Sequence, residues 1–327
     1  MSKKQKSAKS DGELAGKRAT SYDVAKLAGV SQSAVSRVFQ DGASASKAMR
    51  DRVMTAADQL GYRPNAIARG LITRRSNMVA VVISKLTNLY YPEVLVKLTQ
   101  NFSEHGVRVL LFALERESDT ESVIEQMLQY RVDGVLTAAI FTPDQLKTIS
   151  NAQIPVVFYN RSLQDQLVSS VRCDQEEGER WLVDGLVNAG HKSFGIVEGP
   201  PDSVVSIERK MGALNKLKEL GITDITTVSG DFGYTTGREC FTKLVEKHGS
   251  APDAVIAAND VMAIGCIDEA RENHGLDVPG DISIVGFDGV GQARYAAYDV
   301  TTVRQPIQRM TESAVSMLIE RIENPEL

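Results

Sequence analysis

Long apolar runs, paired cysteines and catalytic signatures are all missing from this chain, and each absence removes a class of function. No apolar stretch approaches the roughly 18 residues of a bilayer-spanning helix. Residues 1–18 are polar and Lys-rich, without the apolar segment of a secretory leader, so a cytoplasmic location is expected. The three cysteines, Cys173, Cys240 and Cys266, lie far apart with no CxxC spacing. So sparse a set fits a reducing compartment and argues against a thiolate zinc site or a disulfide framework. There is no Walker A loop, no GxSxG elbow, no HExxH and no GxGxxG. The run Gly286-Phe287-Asp288-Gly289-Val290-Gly291 resembles a phosphate loop only loosely, and His105, His191, His248 and His274 are scattered. No enzyme is expected, and neither cofactor nor metal.

What the chain does have is 327 residues, 43% of them hydrophobic, enough for more than one domain with sizeable cores. Its charge is divided. Residues 1–75 hold 15 Lys and Arg against 6 Asp and Glu, net +9; the remainder holds 22 against 36, net −14. A basic end on an acidic body points to a polyanionic partner at one end only.

Residues 1–17 read as a disordered basic tail. Residues 18–64 read as a helix-turn-helix domain. Thr20 or Ser21 caps a helix over Tyr22–Ala28, Gly29 breaks it, and Ser31 caps a second over Gln32–Phe39. Asp41-Gly42 marks a turn, Ser46 caps a third helix over Lys47–Leu60, and Pro64 stops the domain. Val24, Ala28, Val30, Val35, Val38, Val53, Ala57 and Leu60 have the spacing of one small core. Gln32, Ser33, Ser36 and Arg37 lie on the opposite face of the second helix, which can present them to base edges in a major groove. The alternative is a plain three-helix bundle with a solvated face.

From Met78 the texture changes. Strand candidates at Val79–Ser84, Val107–Phe112, Gly134–Ala139, Pro155–Tyr159, Phe194–Glu198, Ala254–Ala258 and Ile282–Phe287 alternate with helical segments. The helices run over Glu93–His105, Thr120–Tyr130, Glu176–Ala189, Ile207–Leu220, Gly237–Lys247 and Val261–His274. This predicts an α/β core of two doubly wound parallel-sheet subdomains, with ligand at the carboxyl ends of the strands.

Three blocks carry a resemblance: Ser21-Tyr22-Asp23-Val24-Ala25-Lys26-Leu27-Ala28-Gly29-Val30-Ser31 with Val35-Ser36-Arg37-Val38; Leu60-Gly61-Tyr62-Arg63-Pro64-Asn65 with Ala68 and Leu71; and Ala258-Asn259-Asp260-Val261-Met262-Ala263-Ile264-Gly265, continued by Asp281 to Asp288 and Thr301 to Pro306. In this order they resemble the lac-repressor/galactose-repressor (LacI/GalR) family of transcriptional regulators. The resemblance implies a homodimer on near-palindromic double-stranded operator DNA. It implies a core like that of periplasmic sugar-binding proteins, holding a small carbohydrate effector. DNA contacts are implied for Tyr22, Ser31, Gln32, Ser33, Ser36 and Arg37. Residues 65–76 form a hinge in which Asn65, Ala68, Arg69 and Leu71 meet the minor groove, with Leu71 as the wedge. The core is then 77–327, with one subdomain at about 77–174 plus 305–327 and the other at about 175–304.

The implied effector contacts are Tyr90, Tyr91, Asn160, Arg161, Arg209, Phe232, Asn259 and Asp288. Where the family has Asn-Pro before two aromatics, this chain reads Asn88-Leu89-Tyr90-Tyr91-Pro92, in the first strand–helix loop. An alternative reading pairs Arg209 with Asp288 directly across the cleft, makes Asn259 a loop cap and Phe232 a core residue. Asp260 is read as the cap of the helix from Val261. The chain ends at Glu323-Asn324-Pro325-Glu326-Leu327 without a leucine-heptad extension, so a dimer is expected rather than a tetramer. The competing class is a small-molecule binding protein without DNA activity.

Overall fold

The computed structural model describes residues 19–40, 44–64, 75–84, 86, 88–114, 119–161 and 168–324. The basic tail 1–17, the Asp41-Gly42 turn and the hinge residues Asn65, Ala68, Arg69 and Leu71 lie outside the described residues. Backbone contacts divide the chain into two compact units, 1–76 and 77–327.

In the first unit, Thr20 and Asp23 form a capping box at the start of α1 (Ser21–Ala28). Gly29 ends it at φ 65°, a left-handed conformation that costs glycine nothing. The Ser31 hydroxyl then accepts the Ala34 N–H at 3.2 Å and starts α2 (Gln32–Val38). Ser46 caps α3 (Lys47–Gln59) in the same way. Val24, Ala25, Ala28, Val35, Val38, Val53, Ala56 and Ala57 make the core. Leu60 departs from expectation: it is 38% exposed, because α3 ends one residue earlier and the chain turns at Gly61. Tyr62 packs edge-on against Phe39 instead, at 5.8 Å between ring centroids. Leu27 is also outside, since α1 buries a stripe of Val24, Ala25 and Ala28.

The second unit holds two five-stranded, all-parallel sheets. The first is built from β1 (Met78–Ser84), β2 (Arg108–Leu114), β3 (Gly134–Thr137), β4 (Val156–Tyr159) and β5 (Ser169–Val171), in the order β2-β1-β3-β4-β5. Its crossovers are α4 (Tyr90–Glu104), α5 (Thr120–Tyr130) and α6 (Pro143–Asn151). Then come α7 (Gln175–Asn188), β6 (Ser193–Glu198), α8 (Val204–Glu219), β7 (Asp224–Ser229), α9 (Tyr234–His248), β8 (Ala254–Ala257), α10 (Asp260–Glu272), β9 (Ser283–Asp288) and β10 (Thr301–Arg304). The second sheet runs β10-β9-β8-β6-β7. Finally α11 (Ile307–Glu323) returns to the first lobe, where Met310, Ala314, Val315 and Leu318 pack with Leu98 and Phe102 of α4.

Central strands bury both faces, which is why they read as continuous apolar runs. In β1, Val79, Val81 and Ile83 face α4 and α11, while Ala80 and Val82 face the cluster of α5 and α6. The second sheet repeats the pattern: Val197 and Val255 face α9 and α10, and Phe194, Ile196 and Ile256 face α7 and α8.

Candidate functional site

In the head, Ser33, Ser36 and Arg37 are exposed and recur at i, i+3 and i+4, so they share one face of α2. Tyr22 is 72% exposed on α1. Gln32 is half-buried, and its amide donates to the Ser21 hydroxyl at 3.4 Å; the Ser31 and Ser33 hydroxyls lie 2.9 Å apart. Arg50 donates to the Val38 carbonyl, closing the C-terminus of α2. The buried stripe of Ala34, Val35 and Val38 fixes the helix from behind and leaves the polar face clear.

In the core, a cavity of about 250 Å³ opens where the strands of both sheets end. Ser84, Asn88, Tyr90, Tyr91, Asn160 and Arg161 line it from the first lobe. Pro200, Asp202, Ser203, Val205, Arg209, Phe232 and Asp288 line it from the second, and Gln305 from the crossover after β10. Seven of the eight residues expected to bind effector therefore meet here. The exception is Asn259. It caps α10, accepting from the Met262 N–H at 2.9 Å and donating to the Phe232 carbonyl at 3.1 Å. Asn259 supports Phe232 and does not itself line the cavity. Asp260 is not the cap: its carboxylate accepts from the Val290 N–H at 2.8 Å and the Thr302 hydroxyl at 2.5 Å. Burial, with Asp288 adding its negative charge, pushes the Asp260 carboxyl up to about 7.

Tyr90 and Tyr91 do not sit in a loop. The helix starts at Tyr90, three residues before the expected Glu93, because Pro92 is tolerated in a first turn whose N–H groups have no intrahelical acceptor. Arg209 and Asp288 do not oppose each other across the cleft. Both come from the second lobe and meet at 2.7 Å as a buried ion pair, each side chain 3% exposed.

That pair is the centre of a continuous buried network. Arg209 donates through Nε to Gln175 Oε1 at 2.8 Å, through Nη1 to the Ala258 carbonyl at 2.5 Å and through Nη2 to Asp288 Oδ1. Its guanidinium lies 3.9 Å from the centroid of the Phe287 ring, a cation–π arrangement. Gln175 in turn donates to Asn160 Oδ1 at 2.9 Å. Gln305 donates to Asp288 Oδ1 at 2.8 Å, and Tyr90 donates to Gln305 Oε1 at 3.1 Å. The Tyr90 hydroxyl also lies 3.1 Å from that of Tyr159. Burial pushes the Tyr90 hydroxyl well above its ordinary value, so it stays a donor. The chain Tyr159–Tyr90–Gln305–Asp288–Arg209–Gln175–Asn160 thus starts and ends in the first lobe and passes through the second. Asn160, Phe232 and Asp288 adopt φ of 55°, 72° and 117°. Left-handed backbone at non-glycine residues gathers where surrounding structure holds a site in shape. The Phe232 ring lies against Gly199, where a Cβ would collide with it.

Residue-type reasoning missed Gln175, Gln305 and Tyr159. The two glutamines carry no charge and no motif of their own. Their signal is position at the two crossovers between lobes, Gln175 following the cap residue Asp174 and Gln305 preceding Pro306 within the Thr301–Pro306 block.

A helix-turn-helix head and a two-lobed parallel core with its cavity at the strand ends define a ligand-responsive regulator with a periplasmic-binding-protein-like core. Residues 20–65 match the family described as bacterial regulatory proteins, lacI family. Residues 183–327 match the periplasmic binding protein-like domain. The HTH-type transcriptional regulator CelR of Thermobifida fusca is 33% identical over 318 residues, covering 94% of this chain and 92% of that protein. A structure of the lac repressor dimer bound to operator and the anti-inducer ONPF superimposes with a TM-score of 0.85 at 27% identity, covering 95% of this chain and 94% of that one. A CelR–cellobiose complex gives a TM-score of 0.69 at 30% identity, with 94% of each chain covered. The chain belongs to the lacI family of bacterial regulatory proteins, a family of transcriptional regulators and not of enzymes. No described helix is long and apolar enough to cross a membrane.

Proposed function

We propose that this protein is a cytoplasmic, non-enzymatic repressor, dimeric on near-palindromic operator DNA, whose DNA affinity is set by a small polyhydroxylated effector, a sugar or sugar derivative. Residues 18–64 read the operator, 65–76 couple, and 77–327 bind effector and dimerise. Arg37, Gln32, Ser33 and Ser36 contact bases or adjacent phosphates, with Tyr22 and Ser31 on the backbone. Asn65, Ala68, Arg69 and Leu71, outside the described residues, act in the minor groove with Leu71 as the wedge.

The observation that carries the effector reading is the cavity. Its volume lies just below the usual ligand range of about 300–1,000 Å³, as suits a small effector. Its wall interleaves the guanidinium groups of Arg161 and Arg209, the carboxylates of Asp202 and Asp288, amides and hydroxyls with the rings of Tyr90, Tyr91 and Phe232. A hydroxyl can accept from Arg209 and donate to Asp288 at once. The cellobiose-bound CelR neighbour supports the same ligand class. A ligand that re-routes the bonds of Asp288 and Gln305 alters the tie from the second lobe to Tyr90 in the first. Coupling between sites typically requires about 1–3 kcal/mol.

The test is fluorescence anisotropy with genomic operator fragments in the presence of a panel of carbohydrates. One carbohydrate should shift the binding curve. Binding to DNA that no carbohydrate, sugar acid or sugar phosphate alters would overturn the effector reading.

A further inference from the structure

Arg209 lines a second cavity besides the large one. This cavity is small, about 10 Å³, roughly one water in size. Glu179, Glu198, Ser206 and Lys210 share it with Arg209, among apolar residues from β6 and β8. The charges here pair off, except one. Lys210 of α8 holds Glu198 of β6 at 3.0 Å, and Arg209 of α8 holds Asp288 of β9 at 2.7 Å. Glu179, on α7, is 1% exposed, and neither of its carboxyl oxygens has a hydrogen-bond partner among the described residues. A buried carboxylate with no cation left to it is costly, so the group stays neutral by keeping its proton. The site therefore contains a spare acid beside the arginine that the effector is read to engage.

We propose that Glu179 is a proton-linked positioning residue of the effector site: it is held as a neutral acid while Asp288 occupies Arg209, and it ionises when Asp288 is drawn away, replacing that lost counter-charge. The proton leaves to solvent; no bond other than its O–H bond breaks. A neutral, hydroxyl-bearing ligand that takes the Asp288 carboxylate as its acceptor leaves Arg209 undercompensated, and Glu179 supplies the missing charge. Effector binding then releases protons, and affinity for an uncharged ligand rises with pH until Glu179 is ionised in both states. The electrostatics agree in direction. Burial pushes Glu179 up to about 8, Arg209 pulls it down and Asp288 pushes it up, so loss of the Asp288 charge lowers it. The inference rests on the effector reading of the larger cavity, but its test needs neither DNA nor effector.

Asp288→Asn mimics the withdrawal, since it removes the charge and keeps an acceptor. Infrared difference spectra of the full chain against pH, referenced to Glu179→Gln, isolate the carboxylic-acid C=O band of Glu179. The expected result is a band that persists through neutral pH in the wild type, with a midpoint near 8. In Asp288→Asn the midpoint should fall by at least about one pH unit. A Glu179 already ionised at pH 6 in the wild type, or an unmoved midpoint in Asp288→Asn, would overturn the proposal. A second readout needs only Glu179→Gln. The native acid is held above its unfolded value, so it stabilises the fold at acid pH and loses that contribution as pH rises toward about 8. The melting temperature of wild type relative to Glu179→Gln should fall between about pH 5 and 8 and level beyond it. A difference constant across that window would refute the neutral acid, whatever becomes of Asp288→Asn.

Discussion

Asp288→Ala is the perturbation whose cost follows most directly from the geometry. The carboxylate accepts from Arg209 Nη2 at 2.7 Å and from Gln305 Nε2 at 2.8 Å, in a place where it is 2% exposed. Alanine removes both acceptors and leaves the guanidinium held only by Gln175 and the Ala258 carbonyl. Removing one partner of a buried pair costs roughly 3–5 kcal/mol where the surviving charge is uncompensated, which here means at a pH low enough for Glu179 to keep its proton. For a unit spanning residues 77–327 this corresponds to a fall of roughly 6–20 °C in melting temperature, at about 2–4 °C per kcal/mol. Asp288→Asn keeps one acceptor and should cost less, on the order of 1–3 kcal/mol. Thermal unfolding of the full chain, followed by circular dichroism, reads the series. Operator binding should survive in Asp288→Ala at temperatures where the core is folded, while the response to effector is lost. A melting temperature within about 2 °C of wild type for Asp288→Ala would show that Arg209 finds other partners at no cost, and the account of the buried network would be wrong.

Arg37→Ala should weaken operator binding by roughly 1–3 kcal/mol, the worth of a bidentate base contact, while effector affinity measured by calorimetry is unchanged; wild-type operator affinity would remove Arg37 from the interface. Gly265→Ala places a methyl on the Tyr234 carbonyl where α9 and α10 cross, and a Cβ on the facing Gly237 would come within 2.6 Å of the Met262 carbonyl. Forcing these helices apart should cost about 1–3 kcal/mol in urea unfolding, and an unchanged midpoint would mean the crossing is loose. Asp260 is held up near 7, above its unfolded value, so its contribution is present at acid pH and lost as pH rises through neutrality. Asp260→Asn should flatten the dependence of melting temperature on pH between about 4 and 7, and an unaltered slope would place that titration elsewhere.

Central strands were legible because burial on both faces leaves uninterrupted apolar runs, as in Val79–Ser84. Of the edge strands only β2 was, as Val107–Phe112. β7, half solvated along Asp224–Ser229, and β10, Thr-Thr-Val-Arg, alternate weakly and were not picked out as strands. The head was legible because caps and a left-handed glycine are local chemistry, acting within four residues. Leu60 misled because period alone does not say where a helix stops. At the site, Arg209, Asp288 and Phe232 announced themselves, but Gln175, Gln305, Tyr159 and Glu179 acquire meaning only from what the fold brings beside them. Asn259 shows the converse: a residue with the right type and place whose two polar groups are taken by the Met262 N–H and the Phe232 carbonyl.

The central claim is that a sequence-reading head answers to a ligand in the core. Affinity selection of fragmented genomic DNA by the full chain, sequenced with and without a carbohydrate panel, tests it most directly. The account predicts enrichment of a few fragments sharing a two-fold symmetric motif, loss of that enrichment in Arg37→Ala, and its change by one carbohydrate. Uniform retention of all fragments, or none retained at low salt with any ligand, would contradict it.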